Sequence, residues 1–364
     1  MYCAHVVGAR PNFMKAAPVM RALAQRPDVR QILVHTGQHY DQNMSEVFFR
    51  ELEMPEPDYN LAVGSASHAS QTAQIMMRFE PVLQEARPDL VLVYGDVNST
   101  LAAALVCSKM GVPVGHVEAG LRSFDRRMPE EINRQLTDQI GDLLFTPSRD
   151  GDQNLLREGI PAERIRFVGN VMIDTLVKLL PKAASSLTED LPAHYALVTL
   201  HRPSNVDESS TLREVLAALD EISHELPVIF PVHPRTRERI RRLAFRPHEN
   251  FHFWEPQSYL QFLALQEGAT LVITDSGGIQ EETTFLGVPC LTLRESTERP
   301  VTVTLGTNLV LGRDLGRLRQ EVSAILRGRR KPGSIPPLWD GKAGERIADV
   351  ICGVGDRQTA VGLK

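Results

Sequence analysis

Short apolar runs recur along the chain, separated by amphipathic stretches. "YCAHVV", "RQILVHTG", "DLVLVYGD", "VPVGHVEA", "DLLFTPS" and "IRFVGN" form a first series; "YALVTLH", "PVIFPVH", "NFHFWEP", "TLVITDS", "VPCLTLR" and "TNLVLG" form a second. Each is about five to seven residues long and apolar without strict alternation, the pattern of parallel strands covered on both faces. Segments between them have helical periodicity, such as "STLAAALVCSKMG", which stops at Gly111 just before Val112-Pro113. Strand, helical crossover and strand in series predict doubly wound parallel sheets. A Pro/Ser-rich connection, "LVKLLPKAASSLTEDLPAHY", separates the two series, so two Rossmann-like domains should join near residues 170–190. A ligand of such a protein belongs in the cleft between them, at the carboxyl ends of the strands.

Composition narrows the class. A chain of 364 residues with 42% hydrophobic and 23% charged positions has room for two globular domains. A formal charge of −5 argues against a nucleic-acid or basic membrane-surface partner. No apolar run approaches the ~18 residues of a membrane span. The start, "MYCAHVVGARP", lacks a basic region followed by a long apolar stretch, so no signal peptide is expected. Cys3, Cys107, Cys290 and Cys352 are scattered without CxxC spacing and read as reduced thiols.

Three groups of residues carry candidate chemistry. In "LVITDSGGIQEETTFLGVP", Ser276, Gly277 and Gly278 stand between a strand and a helix, where backbone N–H groups and the helix dipole can meet an anion. The plainer reading is an ordinary tight turn, and Glu281 and Glu282 fit a phosphate poorly but a ribose hydroxyl well. "VVGARPNFMK" places Arg10 and Lys15 after the first strand, suited to a diphosphate. Neither stretch is GxGxxG or GxxxxGK[ST], which takes support from NAD and ATP. Asp96 and Glu118 end two strands and should emerge at one sheet edge, with Glu130, Glu131, Asn133 and Arg134 following in "MPEEINR". A strand-end carboxylate is usually a cap or a loop salt bridge; several converging on one cleft suit proton transfer. His201 and His233 each end a strand of the second series and point to ligand contact. "RTRERIRR" reads as a solvated helix face, and "HENFH" has metal-like spacing without a third partner.

Taken in order, "GARPNFMKAAPV", "GDVNSTLAAAL", "PVGHVEAGLRS", "MPEEINR", "FVGNVMIDTL", "TLHRPSN", "TDSGGIQEE" and "RESTERP" resemble the non-hydrolysing UDP-N-acetylglucosamine 2-epimerases over roughly residues 5 to 312. The resemblance implies an α/β fold of the GT-B type. Its two Rossmann-like doubly wound parallel-sheet domains, 1–172 and 173–342, flank an interdomain cleft, and a helix at about 343–353 returns to the first. It implies a cytoplasmic homodimer that interconverts UDP-GlcNAc and UDP-ManNAc for surface polysaccharides, with no metal or nicotinamide cofactor. Carried over position by position, it assigns substrate contacts to Arg10 and Lys15. The UDP part falls to Gln257, Phe262, Ser276, Gly277, Gly278, Glu282 and Arg299. Asp96, Glu118, Glu130 and His201 fall on the catalytic groups, with Arg134 and His233 nearby.

The implied chemistry explains the crowd of acids and bases in "HVEAGLRSFDRRMPEEINR". The sugar's C2 hydrogen is not next to a carbonyl, so UDP must leave C1 first, or as that proton is removed. A stabilised diphosphate, a base on one face and an acid on the other meet that need. The chain departs from the family where many bacterial members bind a second UDP-GlcNAc. Gln38, His39 and Gln71 are kept, but Ser70 stands where arginine is expected, which argues against activation by substrate. "GQHYDQNMS" also resembles epimerases of UDP-2,3-diacetamido sugars. Other readings are a hydrolysing epimerase that releases ManNAc, a GT-B glycosyltransferase and a non-catalytic UDP-sugar sensor.

Overall fold

In the computed structural model, which describes residues 1–38, 49, 51–187 and 191–353, the chain divides into two compact units. One is Met1–Thr175 with the segment from Pro337 onward; the other is Leu176–Pro336. The first holds a seven-stranded sheet of β1 (Tyr2–Val7), β2 (Arg30–His35), β3 (Tyr59–Asn60), β4 (Leu90–Tyr94), β5 (Val114–Val117), β6 (Leu143–Thr146) and β7 (Ile165–Phe167). All pairs are parallel, in the order β3-β2-β1-β4-β5-β6-β7. The order reverses between β1 and β4, and a doubly wound sheet opens its crevice at such a point. The six strands expected here all form. Tyr59–Asn60 adds an edge strand of two residues, too short to leave a hydrophobic pattern.

The sheet's apolar faces explain its stability. β4 is buried along its whole length. Val6, Val34, Val91 and Val93 pack with Ile75 and Phe79 of the helix His68–Ala86 and with Ala102, Ala103 and Ala104 of the helix Asn98–Met110. Burying each such large side chain contributes on the order of 2 kcal/mol. Gly111 ends the second of these helices in the left-handed region, as its position before Val112-Pro113 predicts.

The second unit holds β8 (Ala196–Thr199), β9 (Val228–Pro231), β10 (Phe251–Trp254), β11 (Leu271–Thr274), β12 (Cys290–Thr292) and β13 (Asn308–Val310). These too are all parallel, in the order β10-β9-β8-β11-β12-β13, with the reversal between β8 and β11. Its core joins Val198, Phe230, Ile273 and Leu291 to Leu212, Leu216 and Leu219, one face of the helix Ser209–Ser223.

The division between units falls within the helix Val171–Ala183, so the Pro/Ser-rich connection begins as helix. The return to the first unit begins at Trp339, whose buried indole Nε1–H donates to the Pro147 carbonyl at 2.9 Å. In the helix Ala343–Ile351 the first N–H groups, of Ala343 and Gly344, donate to the Asp174 carboxylate at 3.0 and 2.7 Å. A side-chain carbon on Gly344 would stand 2.7 Å from the Pro18 carbonyl, so glycine sets how closely this helix approaches Arg10–Ala24. Cys3, Cys107 and Cys290 are buried thiols, and burial pushes them to about 11, 12 and 11, out of reactive range. No described helix is long and apolar enough to cross a membrane.

Candidate functional site

At the carboxyl edge of the first sheet, the turn after β1 is built by Asn12. Its Oδ1 accepts the Gly8 and Ala9 N–H groups at 3.0 and 3.1 Å, and its Nδ2 donates to the Tyr94 carbonyl at 2.7 Å. That side chain fixes the helix Arg10–Ala24 against the end of β4. Lys15, buried on this helix, sends its ammonium to the Glu118 carboxylate, itself 3% exposed. Gly95 makes the contact possible, because a side-chain carbon there would sit 2.7 Å from Lys15 Nζ. Glu118 has φ +74. A non-glycine residue held in the left-handed region costs on the order of 1–3 kcal/mol, and such strain concentrates where function needs it.

Asp96, at the end of β4, pairs with Arg134 and is about a quarter exposed. Asn133 donates to the Asp96 carbonyl at 2.9 Å. Arg134 is steered in turn by Glu131, whose Oε2 lies 2.6 Å from its Nη1. Glu131 is fully buried and also accepts the Ser123 N–H, the Ser123 hydroxyl and the Phe124 N–H at 2.9, 2.9 and 3.0 Å. Of the two adjacent glutamates in "MPEEINR", Glu131 is thus an internal anchor. Glu130 is half-buried in the first turn of the helix Pro129–Ile140, and its side chain makes no hydrogen bond or ion pair with the described residues. Arg10 is exposed; burial pushes the Glu51 carboxyl up, with Arg10 pulling the other way.

The second sheet presents a different edge. His201 follows β8, and its Nδ1 lies 3.1 Å from Asp275 Oδ1, at the end of β11; the ring is about half exposed and the carboxylate fully buried. Asp275 also accepts the His201 and Arg202 N–H groups at 3.1 and 3.0 Å and Asn205 Nδ2 at 2.9 Å. Burial pushes its carboxyl up, but the bonds from His201, Asn205 and Arg202 outweigh this and hold it below the usual range. Asp275 was not singled out from sequence. Its signal was a carboxylate ending a strand beside the reversal of strand order.

Ser276 stands at the N-cap position of the helix Gly277–Leu286 without a side-chain cap bond, and Ser276, Gly277 and Gly278 are all partly exposed. Gly277 has no room for a side chain: a carbon there would lie 2.4 Å from Arg299 Nη1. Arg299 is held by Glu281 at 2.9 Å and Glu298 at 2.5 Å. Glu282 is 2% exposed, and its two oxygens accept from Tyr259 Oη at 2.8 Å and Gln266 Nε2 at 2.6 Å. Phe262 packs against the apolar cluster around Tyr195 and Leu197. Gln257 donates to the Glu255 carbonyl at 2.8 Å. His233 is exposed and caps the helix Pro234–Arg242, accepting the Arg235 N–H at 3.3 Å.

The structure thus brings Lys15 to Glu118, Asp96 to Arg134, and Arg299 to Gly277, each pair at a strand edge. Gln38 and Gln71 are buried: Gln38 Oε1 accepts Ser99 N–H at 3.1 Å, and Gln71 Oε1 accepts Asn98 Nδ2 at 2.8 Å. Ser70 is exposed, and its hydroxyl accepts from Gln74 on the same helix at 3.2 Å. His39 and the "YDQNMS" stretch lie outside the described residues. Among the described residues no three His, Cys, Asp or Glu side chains group as a metal site.

Two doubly wound parallel-sheet units, one edged by paired acids and bases and the other by a glycine-opened helix start, define an α/β protein of the GT-B type. The family model for UDP-N-acetylglucosamine 2-epimerase matches residues 21–352. The chain is 42% identical over 363 residues to the UDP-N-acetylglucosamine 2-epimerase of Methanococcus maripaludis, covering 96% of this chain and 97% of that protein. It is 45% identical over 349 residues to the UDP-2,3-diacetamido-2,3-dideoxy-D-glucuronate 2-epimerase of Pseudomonas aeruginosa, covering 95% and 98%. The crystal structure of Methanocaldococcus jannaschii UDP-GlcNAc 2-epimerase in complex with UDP-GlcNAc and UDP matches with a TM-score of 0.89 at 41% identity, covering 97% of this chain and 100% of that one. The chain belongs to the UDP-N-acetylglucosamine 2-epimerase family.

Proposed function

We propose that the protein interconverts UDP-N-acetylglucosamine and UDP-N-acetylmannosamine by eliminating and re-adding UDP. The observation that carries this reading is the placement of Asp96 and Glu118 at the ends of the neighbouring strands β4 and β5, each joined to a buried cation. In the forward step a carboxylate takes the C2 proton while the C1–O bond breaks, its electron pair leaving on the diphosphate of UDP. The sugar becomes 2-acetamidoglucal. In the return step a diphosphate oxygen bonds to C1 as an acid delivers a proton to the opposite face of C2.

Asp96, Glu118 and Glu130 serve the proton transfers in this reading, and His201, oriented by Asp275, meets the developing charge of the diphosphate. Ser276, Gly277 and Gly278 present N–H groups to the phosphates, with Arg10, Lys15 and Arg299 as cations. Glu282 serves the ribose, with Gln257 and Phe262 beside the base and Arg134 and His233 completing the set. The reading needs no metal or nicotinamide. It includes a homodimer in the cytoplasm that supplies surface-polysaccharide synthesis.

The 45% identity with the Pseudomonas enzyme favours one further reading, in which the amino sugar carries a second acetamido group. Incubation with each UDP-sugar in turn, followed by product NMR, tests the proposal. UDP-ManNAc accumulating to a constant ratio with UDP-GlcNAc supports it. Free ManNAc would instead make the protein a hydrolase, transfer to an added acceptor would make it a glycosyltransferase, and turnover of the diacetamido uronate alone would shift the substrate.

A further inference from the structure

His116, on β5, is fully buried, and no step proposed above uses it. Its Nε2–H donates to the Gly95 carbonyl at 2.7 Å, and its Nδ1 shares a hydrogen bond with Asp138 Oδ1 at 2.7 Å. A carbonyl oxygen can only accept, so Nε2 carries a proton. Asp138 Oδ2 receives Arg122 Nη1 at 2.7 Å and the Gly120 N–H at 3.1 Å. Burial pushes the Asp138 carboxyl up, but His116 and Arg122 outweigh it and hold the group below the usual range. Asp138 thus joins the ring on one side to Arg122 and the Gly120 N–H on the other.

The row continues outward. Arg122 Nε and Nη2 donate to the two Glu158 oxygens at 2.7 and 2.6 Å. His116, Asp138, Arg122 and Glu158 therefore form one chain of successive hydrogen bonds and ion pairs. Such a buried network is costly to assemble unless every member is satisfied, and it fixes geometry when it is.

What it fixes is specific. Gly95 precedes Asp96, and its φ of +63 gives the turn its form. Its N–H donates to the Val117 carbonyl at 3.0 Å while its carbonyl takes the His116 proton, so both sides of the turn are tied to β5. Gly120 lies just beyond Glu118, and its N–H is tied to Asp138. The His116–Asp138 pair thus grips the backbone beside two of the three carboxylates assigned to proton transfer, Asp96 and Glu118.

We propose that His116 is a positioning residue for the epimerase reaction, clamping through Asp138 the two turns that carry Asp96 and Glu118. The proposal rests on the function given above. Its test uses the full chain and the variants D138N and H116F. D138N removes the carboxylate that meets His116 Nδ1 and leaves Arg122 its bidentate bond to Glu158; H116F puts a slightly larger ring in the same place and removes both ring nitrogens.

Exchange of C2 hydrogen of UDP-GlcNAc with heavy water is measured beside UDP affinity and the ring-nitrogen NMR spectrum. Each variant should lose about 100-fold in exchange while UDP affinity and KM stay within about threefold, since misplacement of a catalytic group costs rate before binding. The unsubstituted protein should show His116 Nε2 protonated, as its bond to the Gly95 carbonyl requires. The assignment is overturned if either folded variant keeps its exchange rate, if UDP affinity falls in parallel with rate, or if His116 Nε2 is bare. Absence of exchange in the unsubstituted protein would overturn the proposed function instead, and the nitrogen spectrum alone would then decide the state of His116.

Discussion

The Lys15 ammonium lies against the Glu118 carboxylate, and it arrives there across the bare Cα of Gly95. Both side chains are almost wholly shielded from water, so each charge depends on the other. Lys15→Met should destabilise the fold by about 3 kcal/mol, because removing one partner strands the other in a low-dielectric setting. Adding Glu118→Gln to the first change should recover much of that loss. Urea unfolding of both single variants and the double variant measures the coupling. Simple additivity would show that the pair does not act as a unit.

His201 leans on Asp275, whose carboxyl is held below the usual range. A depressed carboxyl stabilises the fold above its unfolded value near pH 4, and this contribution disappears as pH falls through the lower folded value. Asp275→Asn should therefore cost about 1–3 kcal/mol at pH 7, with the deficit shrinking under stronger acid. Turnover should drop by at least about tenfold as the imidazole loses its support. A deficit that stays constant with pH would contradict the account.

Gly277 faces the Arg299 guanidinium with no space between. Gly277→Ala should displace that guanidinium and raise the UDP dissociation constant about tenfold or more, roughly 1.4 kcal/mol. Calorimetric titration with UDP checks it. Unchanged affinity would mean that this helix start does not hold the nucleotide.

Asp174 receives the first N–H groups of the helix Ala343–Ile351, yet burial pushes its carboxyl to about 6. With a folded value above the unfolded one, this group favours the fold at low pH, and the advantage is lost as pH rises through about 6. Asp174→Asn should thus gain on the natural chain between about pH 4 and 7, by up to about 3 kcal/mol at 1.36 kcal/mol per unit. Paired urea melts across that range give the comparison, and a gap that does not move would refute the assignment.

Strand positions, helix stops such as Gly111 and the doubly wound parallel class of both sheets were legible in the sequence, because burial on both faces writes continuous apolar runs; the strand orders were not. Tyr59–Asn60 was not, since two residues at a sheet edge leave no period. Within the site, the motifs showed which loops mattered but not what each acid does. Glu130 and Glu131 are neighbours in sequence, yet one is half-buried and the other wholly enclosed, a matter of which way the helix Pro129–Ile140 is turned. His201 and His233 looked alike as strand-end histidines. One rests on a carboxylate from the adjacent strand β11, distant only in sequence, and the other caps its own helix, a difference only long-range packing decides. Asp138 and Asp275 went unremarked for the same reason.

The central claim is that the C2 proton leaves the sugar while UDP departs from C1. Proton NMR of UDP-GlcNAc incubated with the protein in heavy water tests it most directly, beside the Glu118→Gln variant. The account predicts deuterium at C2 of both epimers, with the variant slowed by about 10²–10⁴-fold, the range of general acid–base catalysis. Epimer formed with its original hydrogen still on C2, or a Glu118→Gln protein exchanging at the unsubstituted rate, would contradict it.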